Sequence, residues 1–285
     1  MKKYFNLLRI DHYVKNVLIF LPLFFGGRIM QINLLTEVIW GFIAFSSMSS
    51  VIYIINDLKD IKKDQKHSLK KMRPLASGMV TIKNAIVIAI ILFSLSMIIA
   101  FIKFNYIGIS LIIIYLIMNF LYSFGLKNIP IIDILILVIG YIIRLYFGSV
   151  ISNIEVSKWL YLTVLAGAFY ISLGKRRNEI LNQKNNTREV LKMYSESFLD
   201  KNMYVFLTLT LVFYSLWTID PITISNLSLH YLSWTVPFII VIFLKYSLNI
   251  ETDKTIDPVN IFWKDKVLLF LICLFLFSVA INIYL

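Results

Sequence analysis

Three aspartates on one predicted helix face are the strongest candidates for chemistry in this chain. Residues 56–64 read Asn-Asp-Leu-Lys-Asp-Ile-Lys-Lys-Asp, so Asp57, Asp60 and Asp64 stand at positions i, i+3 and i+7, directly after Asn56. At about 100° of rotation per residue, these side chains fall within a narrow arc of a helix. Oxygen ligands of this kind suit Mg²⁺, which usually binds together with a substrate phosphate. The spacing therefore predicts that the aspartates are catalytic, bind Mg²⁺ and receive a diphosphate.

The composition places this predicted site in a membrane protein. Apolar residues make up 59% of the chain and charged residues 15%, and the mean hydropathy is +0.79. These values are far from those of soluble domains. At roughly 20 residues per crossing, the apolar runs allow about nine transmembrane helices. The runs cover residues 17–32, 38–55, 82–101, 106–124, 131–151, 160–173, 203–219, 231–248 and 267–285. We therefore predict an all-α membrane bundle in which residues 1–285 form one polytopic domain.

The connections between these runs alternate in charge. Lysine and arginine are concentrated in residues 57–81, after the second run, and in residues 174–201, after the sixth. Cytoplasmic loops carry an excess of positive charge, so we expect both segments to be cytoplasmic. The first contains the aspartates and is predicted to be a metal-binding loop, and the second is predicted to be a basic loop. Nine crossings then put the N-terminus in the cytoplasm and the C-terminus on the opposite side of the cell membrane. The net charge of +12 follows from this bias and does not imply a nucleic-acid partner.

Two motifs in the first basic segment resemble those of the UbiA-type intramembrane prenyltransferase superfamily. The three aspartates with Asn56 before them match its NDxxDxxxD motif, and Arg-Pro-Leu-Ala-Ser-Gly at residues 73–78 resembles the RPL-x-SG loop that follows it. The resemblance implies nine transmembrane helices around a central cavity that opens toward the lipid, with polar caps on the cytoplasmic side. It also implies that Asn56 and Arg73 take part in binding the substrate.

The segment after the sixth run departs from most of that superfamily. Most members carry a second aspartate-rich motif there, whereas residues 174–179 of this chain read Gly-Lys-Arg-Arg-Asn-Glu. Lys175, Arg176 and Arg177 can contact phosphate oxygens directly through charge-assisted hydrogen bonds. We therefore expect an additional anionic group in the substrate, and we include the neighbouring Glu179 among the substrate-binding residues.

This departure is similar to one branch, the decaprenyl-phosphate phosphoribosyltransferases. The similarity runs nearly end to end, from Leu8-Arg9 and Lys15-Asn16 through Asp133, Arg144 and residues 174–179 to Asp-Pro, Phe-Trp and Asp within residues 257–265. It implies Mg²⁺-dependent transfer of the 5-phosphoribosyl group from phosphoribosyl diphosphate to a polyprenyl phosphate, with release of diphosphate. Phosphoribosylated lipids of that branch feed arabinose-type glycan donors for the cell wall.

Four of these residues are further candidates for substrate binding. Asp133 and Arg144 lie eleven residues apart, about three helical turns, so one face of the fifth run carries both. A charged residue inside a spanning helix costs on the order of 3 kcal/mol, so Arg144 needs an anionic partner or a wet cavity. An interhelical salt bridge, or snorkelling of the side chain to the membrane surface, is the alternative to contact with phosphate or ribose. For Lys15 and Asn16, anchoring at the membrane surface is the alternative to phosphate binding.

The predicted mechanism follows from what each cluster can do. Mg²⁺ on the aspartates would neutralise the diphosphate leaving group, and the cations would bind the ribose 5-phosphate or the lipid phosphate. A phosphate dianion is already a nucleophile and needs no strong general base. This fits the three histidines, to which no catalytic role is assigned because His12, His67 and His230 show no metal-ligand spacing.

Two other functions stay open at this point. One is the more common chemistry of the superfamily, transfer of a prenyl group from a polyprenyl diphosphate to an aromatic or other small acceptor. The other is a transporter or lipid-binding membrane protein, for which Asp57→Asn and Asp60→Asn would leave function intact. Such a protein would show an internal repeat between its halves, and the sequence has no convincing repeat.

Overall fold

The computed structural model describes residues 2–66, 70–182, 189–227, 231–252, 261 and 264–284, and the regular secondary structure of these residues is helical. The α-helices are α1 (Lys2–Leu8), α2 (Leu21–Phe25), α3 (Ile32–Gln65), α4 (Ile82–Lys103), α5 (Tyr106–Phe124), α6 (Ile132–Ser152), α7 (Lys158–Asn182), α8 (Glu196–Ile219), α9 (Pro221–Leu227), α10 (Val236–Thr252) and α11 (Lys266–Tyr284). Short 3-10 helices cover Ile10–Phe20, Lys70–Met72, Leu126–Asn128, Glu189–Met193 and Leu232–Thr235. The all-α prediction is confirmed. The Asp-Pro and Phe-Trp pairs of residues 257–263 lie outside the described residues.

Seven helices in the described part of the chain are long and apolar enough to cross a membrane. They are α3, α4, α5, α6, α8, the segment Leu232–Thr252 that contains α10, and α11. The predicted count of about nine is therefore not confirmed. Two of the nine predicted runs, residues 17–32 and 160–173, are not among these seven helices, and the reason is different for each.

The first predicted run is broken into short pieces. The 3-10 helix Ile10–Phe20 has 11 residues, α2 has 5 residues, and Gly27 adopts a φ of 70°. Pro22 has no backbone N–H to donate, and a residue with positive φ ends a helix. Each piece is consequently shorter than the roughly 20 residues that a crossing needs.

The sixth predicted run lies within a longer helix with charged ends. α7 has 25 residues, a length of about 37 Å. Lys158 begins this helix, and Lys175, Arg176 and Arg177 lie in its C-terminal part. These charges lower the mean hydropathy of the helix, although its length suffices for a crossing.

By its internal contacts, the predicted polytopic domain contains two compact units. The first unit comprises residues 1–23, 29–136 and 143–155, and the second comprises residues 24–28, 137–142 and 156–285.

The first unit is built around α3, which packs against α4, α5 and the 3-10 helix Ile10–Phe20. Phe45 and Phe147 belong to its apolar core. Ser96 of α4 donates a 2.8 Å hydrogen bond to the carbonyl oxygen of Ala44. Buried small residues on α3 let neighbouring helices approach closely. They are Ser46, Ser47, Ser49 and Ser50.

Gly148 of α6 lies against the backbone of the 3-10 helix Ile10–Phe20. A Cβ atom at this position would stand 2.1 Å from the carbonyl oxygen of Ile19. Real Cβ atoms essentially never come within 3.0 Å of another heavy atom, so a side chain would force the two backbones apart. This contact sets the position of Asn16 relative to Arg144, which lies one turn before Gly148.

The second unit packs α7 against α8, with α10 and α11 beside them. The rings of Phe169 and Phe206 stack with centroids 4.5 Å apart and planes 12° apart. The Tyr170 hydroxyl lies 2.6 Å from the Ser247 hydroxyl. This unit therefore combines aromatic packing with hydrogen bonds between helices.

The two basic segments that were predicted to be loops are partly helical. α3 has 34 residues and a length of about 51 Å, well beyond the roughly 30 Å hydrocarbon core of a bilayer. Residues 57–65 of the segment 57–81 are therefore the rigid end of α3. Residues 174–182 likewise belong to α7, residues 196–201 belong to α8, and residues 183–188 lie outside the described part of the chain. Lys62 and Lys63 in the last turn of α3 favour this extension through the helix dipole.

Candidate active site

The last turns of α3 carry the predicted aspartates. Asp57 and Asp64 are buried, with 2% and 5% of their surface exposed, and Asp60 is half-buried. Seven residues make nearly two helical turns, so Asp57 and Asp64 point in almost the same direction, whereas Asp60 is rotated by about 60° from Asp57. Buried carboxylates require cationic or hydrogen-bonding partners.

Arg73 pairs with both buried carboxylates. Its Nη1 atom lies 3.1 Å from Asp57 Oδ1 and 2.7 Å from Asp64 Oδ2. Nη2 of Arg9 donates a further hydrogen bond of 2.5 Å to Asp57 Oδ1. The Arg9 guanidinium also lies over the Tyr53 ring, 4.7 Å from its centroid, at cation–π distance. Two cations thus balance two buried acids within the first unit.

The loop after α3 holds Arg73 in this position. The backbone N–H of Ser77 donates a 2.9 Å hydrogen bond to the carbonyl oxygen of Arg73. Gly78 turns the chain with a φ of 75°, which glycine adopts without strain. Leu75 and Val80 are buried in a small apolar cluster against α3 and α4. Leu75 of the RPL-x-SG motif and Val80 just after it therefore anchor the loop, and Arg73 faces the acids.

Asp60 and Asn56 face α5 and the turn that follows it. Nζ of Lys127 lies 2.7 and 3.0 Å from the two carboxylate oxygens of Asp60, and Lys127 is only 5% exposed. The Ser123 hydroxyl donates a 3.2 Å hydrogen bond to Asn56 Oδ1. The structure thus brings Asp57 and Asp64 together and pairs Asp60 with a different cation.

The carboxylate oxygens of the aspartates are chemically suited to Mg²⁺. No group of three or more His, Cys, Asp or Glu side chains in the described ranges stands close enough to hold a metal ion, because Asp60 is turned toward Lys127. A single nitrogen of Arg73 nevertheless reaches both Asp57 and Asp64, so one cation can contact both carboxylates. Hard oxygen donors are those that Mg²⁺ prefers. These two aspartates therefore fit a divalent cation.

Asn16 and Arg144 form a buried polar pair inside the first unit. Arg144 donates from Nε to Asn16 Oδ1 and from Nη2 to the Tyr115 hydroxyl, each over 2.7 Å. Nδ2 of Asn16 donates to the Ser46 hydroxyl over 2.9 Å. The rings of Tyr115 and Phe45 lie 4.8 and 5.1 Å from the guanidinium carbon. Hydrogen bonds and cation–π contacts reduce the cost of burying this charge.

Lys15 and Asp133 occupy two further places in the same unit. Nζ of Lys15 lies 3.4 Å from Nδ1 of His12, and Lys15 is half-buried. Asp133 is fully buried in the first turn of α6, where the helix dipole favours a negative charge.

The basic cluster of α7 belongs to the second unit. Arg176 is fully buried, and its Nη1 donates a 2.6 Å hydrogen bond to Oε2 of Glu179, one turn later. Nε of Arg177 donates to Oδ1 of Asp200 on α8 over 2.5 Å. Lys175 is half-buried. Carboxylates therefore compensate part of the positive charge that the sequence concentrates here.

Sequence patterns did not identify Arg9, Lys127 or Tyr115 as site residues. Lys127 could have been found by counting crossings, because α4 leaves and α5 returns to the side of the membrane where α3 ends. Arg9 and Tyr115 lie 48 and 29 residues from their partners Asp57 and Arg144. No short-range spacing distinguishes them from other cations and aromatic residues.

Comparison with known proteins agrees with these motifs. Residues 20–264 match the UbiA prenyltransferase family. The chain is 30% identical to the decaprenyl-phosphate phosphoribosyltransferase of Corynebacterium glutamicum over 287 residues, 97% of this chain and 85% of that protein. It is 29% identical to the enzyme of the same name from Mycobacterium tuberculosis over 272 residues, 92% of this chain and 87% of that protein.

Solved structures share the fold. A UbiA homolog from Archaeoglobus fulgidus bound to GPP and Mg²⁺ has a TM-score of 0.70 at 18% identity, covering 98% of this chain and 99% of that chain. The predicted resemblance to the superfamily, and within it to the phosphoribosyltransferase branch, is confirmed by these similarities. The chain belongs to the UbiA prenyltransferase family and is a membrane transferase.

Proposed function

We propose that this protein transfers the 5-phosphoribosyl group of phosphoribosyl diphosphate to a polyprenyl phosphate and releases diphosphate. The observation that carries the proposal is the similarity, over 97% of the chain, to a protein named decaprenyl-phosphate phosphoribosyltransferase. The buried carboxylates of Asp57 and Asp64, both in contact with Arg73, support it, because such oxygen donors bind the Mg²⁺ that accompanies a diphosphate.

We assign the metal site to Asp57 and Asp64, with Asp60 and Asn56 as further oxygen donors on adjoining turns of α3. When bound, Mg²⁺ supplies Lewis-acid stabilisation of the diphosphate leaving group. A solved family member that is bound to GPP and Mg²⁺ supports the choice of this ion. To coordinate the metal ion, the Asp60 carboxylate would have to break its ion pair with Lys127.

We assign Arg73 and Arg9 to the diphosphate of the donor. Both guanidinium groups lie beside the carboxylates of the proposed metal site. A guanidinium can donate two parallel hydrogen bonds to phosphate oxygens, which are shorter and stronger than neutral ones. The same arginines would thus hold the aspartates in position before the donor arrives and bind its diphosphate afterwards.

We assign the remaining predicted residues to the other phosphate and to the ribose. Buried Arg144 and Asn16, with neighbouring Lys15, are suited to phosphate oxygens, and the buried carboxylate of Asp133 is suited to accept hydrogen bonds from ribose hydroxyls. On α7, Lys175, Arg176 and Arg177 supply positive charge, and Glu179 positions Arg176 through their 2.6 Å ion pair.

The transfer exchanges one bond at the anomeric carbon of the ribose. The bond from this carbon to the diphosphate oxygen breaks, and a bond to an oxygen of the polyprenyl phosphate forms. Positive charge develops on the ribose ring, and in this proposal the basic residues bind the phosphates of the donor and the acceptor. Because the lipid phosphate is already an anionic nucleophile, no side chain needs to remove a proton.

We place the aspartate end of α3 on the cytoplasmic face of the cell membrane. The lysines and arginines of residues 57–81 and 174–201 support this orientation. The N-terminus would then be cytoplasmic and the C-terminus would lie on the opposite side.

A substrate assay tests the proposal. Purified protein in nanodiscs with Mg²⁺ is expected to release diphosphate from phosphoribosyl diphosphate only when a polyprenyl phosphate is present. A polyprenyl diphosphate with 4-hydroxybenzoate is expected to give no product. The reverse pattern would refute phosphoribosyl transfer in favour of prenyl transfer to a small acceptor.

A further inference from the structure

An apolar groove of about 470 Å³ lies between α3, α4 and α5 in the first unit. Its volume falls within the range of roughly 300–1,000 Å³ typical of small-molecule sites. Ile90 on α4 is 59% exposed and Ile117 on α5 is 52% exposed, so the groove is open along its side. Its lining side chains are apolar and include Val51, Ile55, Leu58, Ile90, Phe93 and Phe120.

At one end, two stacked rings connect the groove to a lysine. Phe120 lines the groove and stacks on Phe124, with centroids 4.2 Å apart and planes 24° apart. Nζ of Lys59 lies 3.6 Å from the centroid of the Phe124 ring. Lys59 also directly follows the lining residue Leu58. A molecule that fills the groove therefore meets a positive charge at this end.

Two further lysines continue the groove's apolar stripes. Lys59 lies four residues after the lining residue Ile55, and Lys62 lies four residues after Leu58. On α4, Lys83 precedes the lining residue Ile86 by three residues. Residues three or four apart share one face of a helix, and all three lysines are exposed. The end of α3 and the start of α4 thus both present lysines one turn beyond the apolar surface.

This positively charged end adjoins the candidate active site. Asp60 follows Lys59 in the chain and lies 2.7 Å from Nζ of Lys127. Lys127 lies in the turn after α5, the helix that contributes Phe120 to the groove. A lipid phosphate at Lys59 would therefore lie beside Asp60 on α3, while at about 100° of rotation per residue Lys59 points away from Asp57 and Asp64.

We propose that this groove binds the polyprenyl phosphate acceptor, with the first isoprene units against α3, α4 and α5 and the phosphate at Lys59, Lys62 and Lys83. The inference rests on the proposed function. A polyprenyl phosphate combines the two features that the groove requires, an apolar branched chain and a terminal anion. A neutral lipid lacks the anion and a soluble phosphate lacks the chain. The groove's volume accommodates only the segment of the chain nearest the phosphate.

The first test narrows the groove without disturbing the core. Ile90→Trp is compared with Ile98→Trp, because Ile98 is 55% exposed on the same helix and does not line the groove. In nanodiscs, Ile90→Trp is expected to raise the KM for polyprenyl phosphate about tenfold, equivalent to about 1.4 kcal/mol, with an unchanged KM for phosphoribosyl diphosphate. Ile98→Trp is expected to change neither constant. An unchanged lipid KM in Ile90→Trp overturns the proposal.

The second test addresses the phosphate end. Native mass spectrometry counts the polyprenyl phosphate retained by wild type, by Lys59→Ala and by the control Lys103→Ala, whose lysine lies at the opposite end of α4. Only Lys59→Ala is expected to lose retained lipid. Equal displacement by phosphatidylglycerol would reveal a site for bulk anionic lipid, and dissociation of an oligomer by Ile90→Trp would reveal a contact between copies. Either outcome overturns the proposal.

The two proposals fail in different ways. If wild type releases no diphosphate with any polyprenyl phosphate, the proposed function is wrong, while the retention measurement still tests the groove. If wild type is active and neither Ile90→Trp nor Lys59→Ala affects the lipid, the groove assignment is wrong and the function stands.

Discussion

The Arg73 guanidinium donates a 2.7 Å hydrogen bond to the Asp64 carboxylate, so the loop after α3 folds back onto the last turns of that helix. The same nitrogen also contacts Asp57. The loop therefore forms one structural unit with the helix end, and substitutions in either part should affect the other.

Removal of either buried carboxylate should abolish most of the transferase activity. Asp57→Asn and Asp64→Asn each take one charged oxygen ligand from the proposed metal site. Loss of a group that stabilises charge in the transition state typically costs 10²–10³ in rate, so we expect a decrease of at least about 100-fold. Diphosphate release measured at saturating phosphoribosyl diphosphate checks this, with the Mg²⁺ concentration dependence as a second readout.

The matched control for these variants is Glu37→Gln. Glu37 pairs with Lys103 at the other end of α3, and both side chains are about one third exposed. Exposed pairs contribute little to stability, so activity should stay at the wild-type level. Wild-type rates in both aspartate variants would remove the acidic cluster from the mechanism.

Asp60 and Lys127 should be coupled in stability. Their side chains are 14% and 6% exposed, and they approach to 2.7 Å. Breaking a buried ion pair costs about 3–5 kcal/mol when one charge remains. Lys127→Met should therefore lower the unfolding temperature in detergent by several degrees. The double variant Asp60→Asn/Lys127→Met should recover part of the loss, and strictly additive effects would argue against the pair.

Lys175 and Arg176 should respond differently to truncation. Lys175 is half-buried, so Lys175→Ala should weaken binding of phosphoribosyl diphosphate or polyprenyl phosphate without lowering the unfolding temperature. Arg176→Ala removes a fully buried partner of Glu179, so it should destabilise the protein as well. The measurements are both substrate KM values and thermal unfolding followed by tryptophan fluorescence. Equal unfolding temperatures with unchanged kinetics in both variants would remove the α7 cations from substrate binding.

Asp265 should make stability depend on pH at the start of α11. Its carboxylate accepts hydrogen bonds from the backbone N–H groups of Leu268 and Val267, over 3.0 and 2.8 Å. The Leu268 hydrogen bond, helped by Lys245, lowers the pKa of Asp265 from 3.8 to about 2. Because the folded-state pKa lies below the unfolded-state value, the ionised carboxylate stabilises the fold above about pH 4, and this contribution disappears as the pH falls toward 2.

Asp265→Ala should therefore lower the free energy of unfolding at pH 7 by about 1 kcal/mol, as expected for loss of an N-terminal cap. The unfolding temperature should fall accordingly. The difference from wild type should shrink between pH 4 and pH 2. Asp11→Ala serves as the control, because the Asp11 side chain is 50% exposed. A difference that stays constant with pH would contradict the assignment of the low pKa to Asp265.

Local spacing was sufficient to predict part of the candidate site. Asp57 and Asp64 converge because seven residues return a helix to nearly the same direction. The position of Asp60 depended instead on a cation 67 residues away, because Lys127 draws its side chain toward α5. The sequence contains many lysines and arginines near the same membrane surface, and their order along the chain does not determine which one reaches each acid.

The same distinction applies to the spans. Residues 106–124 were predicted with the bounds of α5, because the polar Asn105 accepts a hydrogen bond from the Gly108 N–H at its start and Gly125 follows its end. Residues 17–32 were predicted as one span because hydropathy reflects the polarity of the side chains and contains no information on backbone conformation. Pro22 and the positive φ of Gly27 divide it, although its side chains are apolar enough to enter a membrane.

The glycine at position 148 also limits how this protein can evolve. Alanine there would place a methyl group against the Ile19 carbonyl, 2.1 Å away, and a backbone oxygen cannot rotate aside as a flexible side chain can. Most codon changes at this site would be expected to disrupt the Asn16–Arg144 hydrogen bond as the two segments separate. A lineage could acquire a larger residue at 148 only after the N-terminal segment had already shifted.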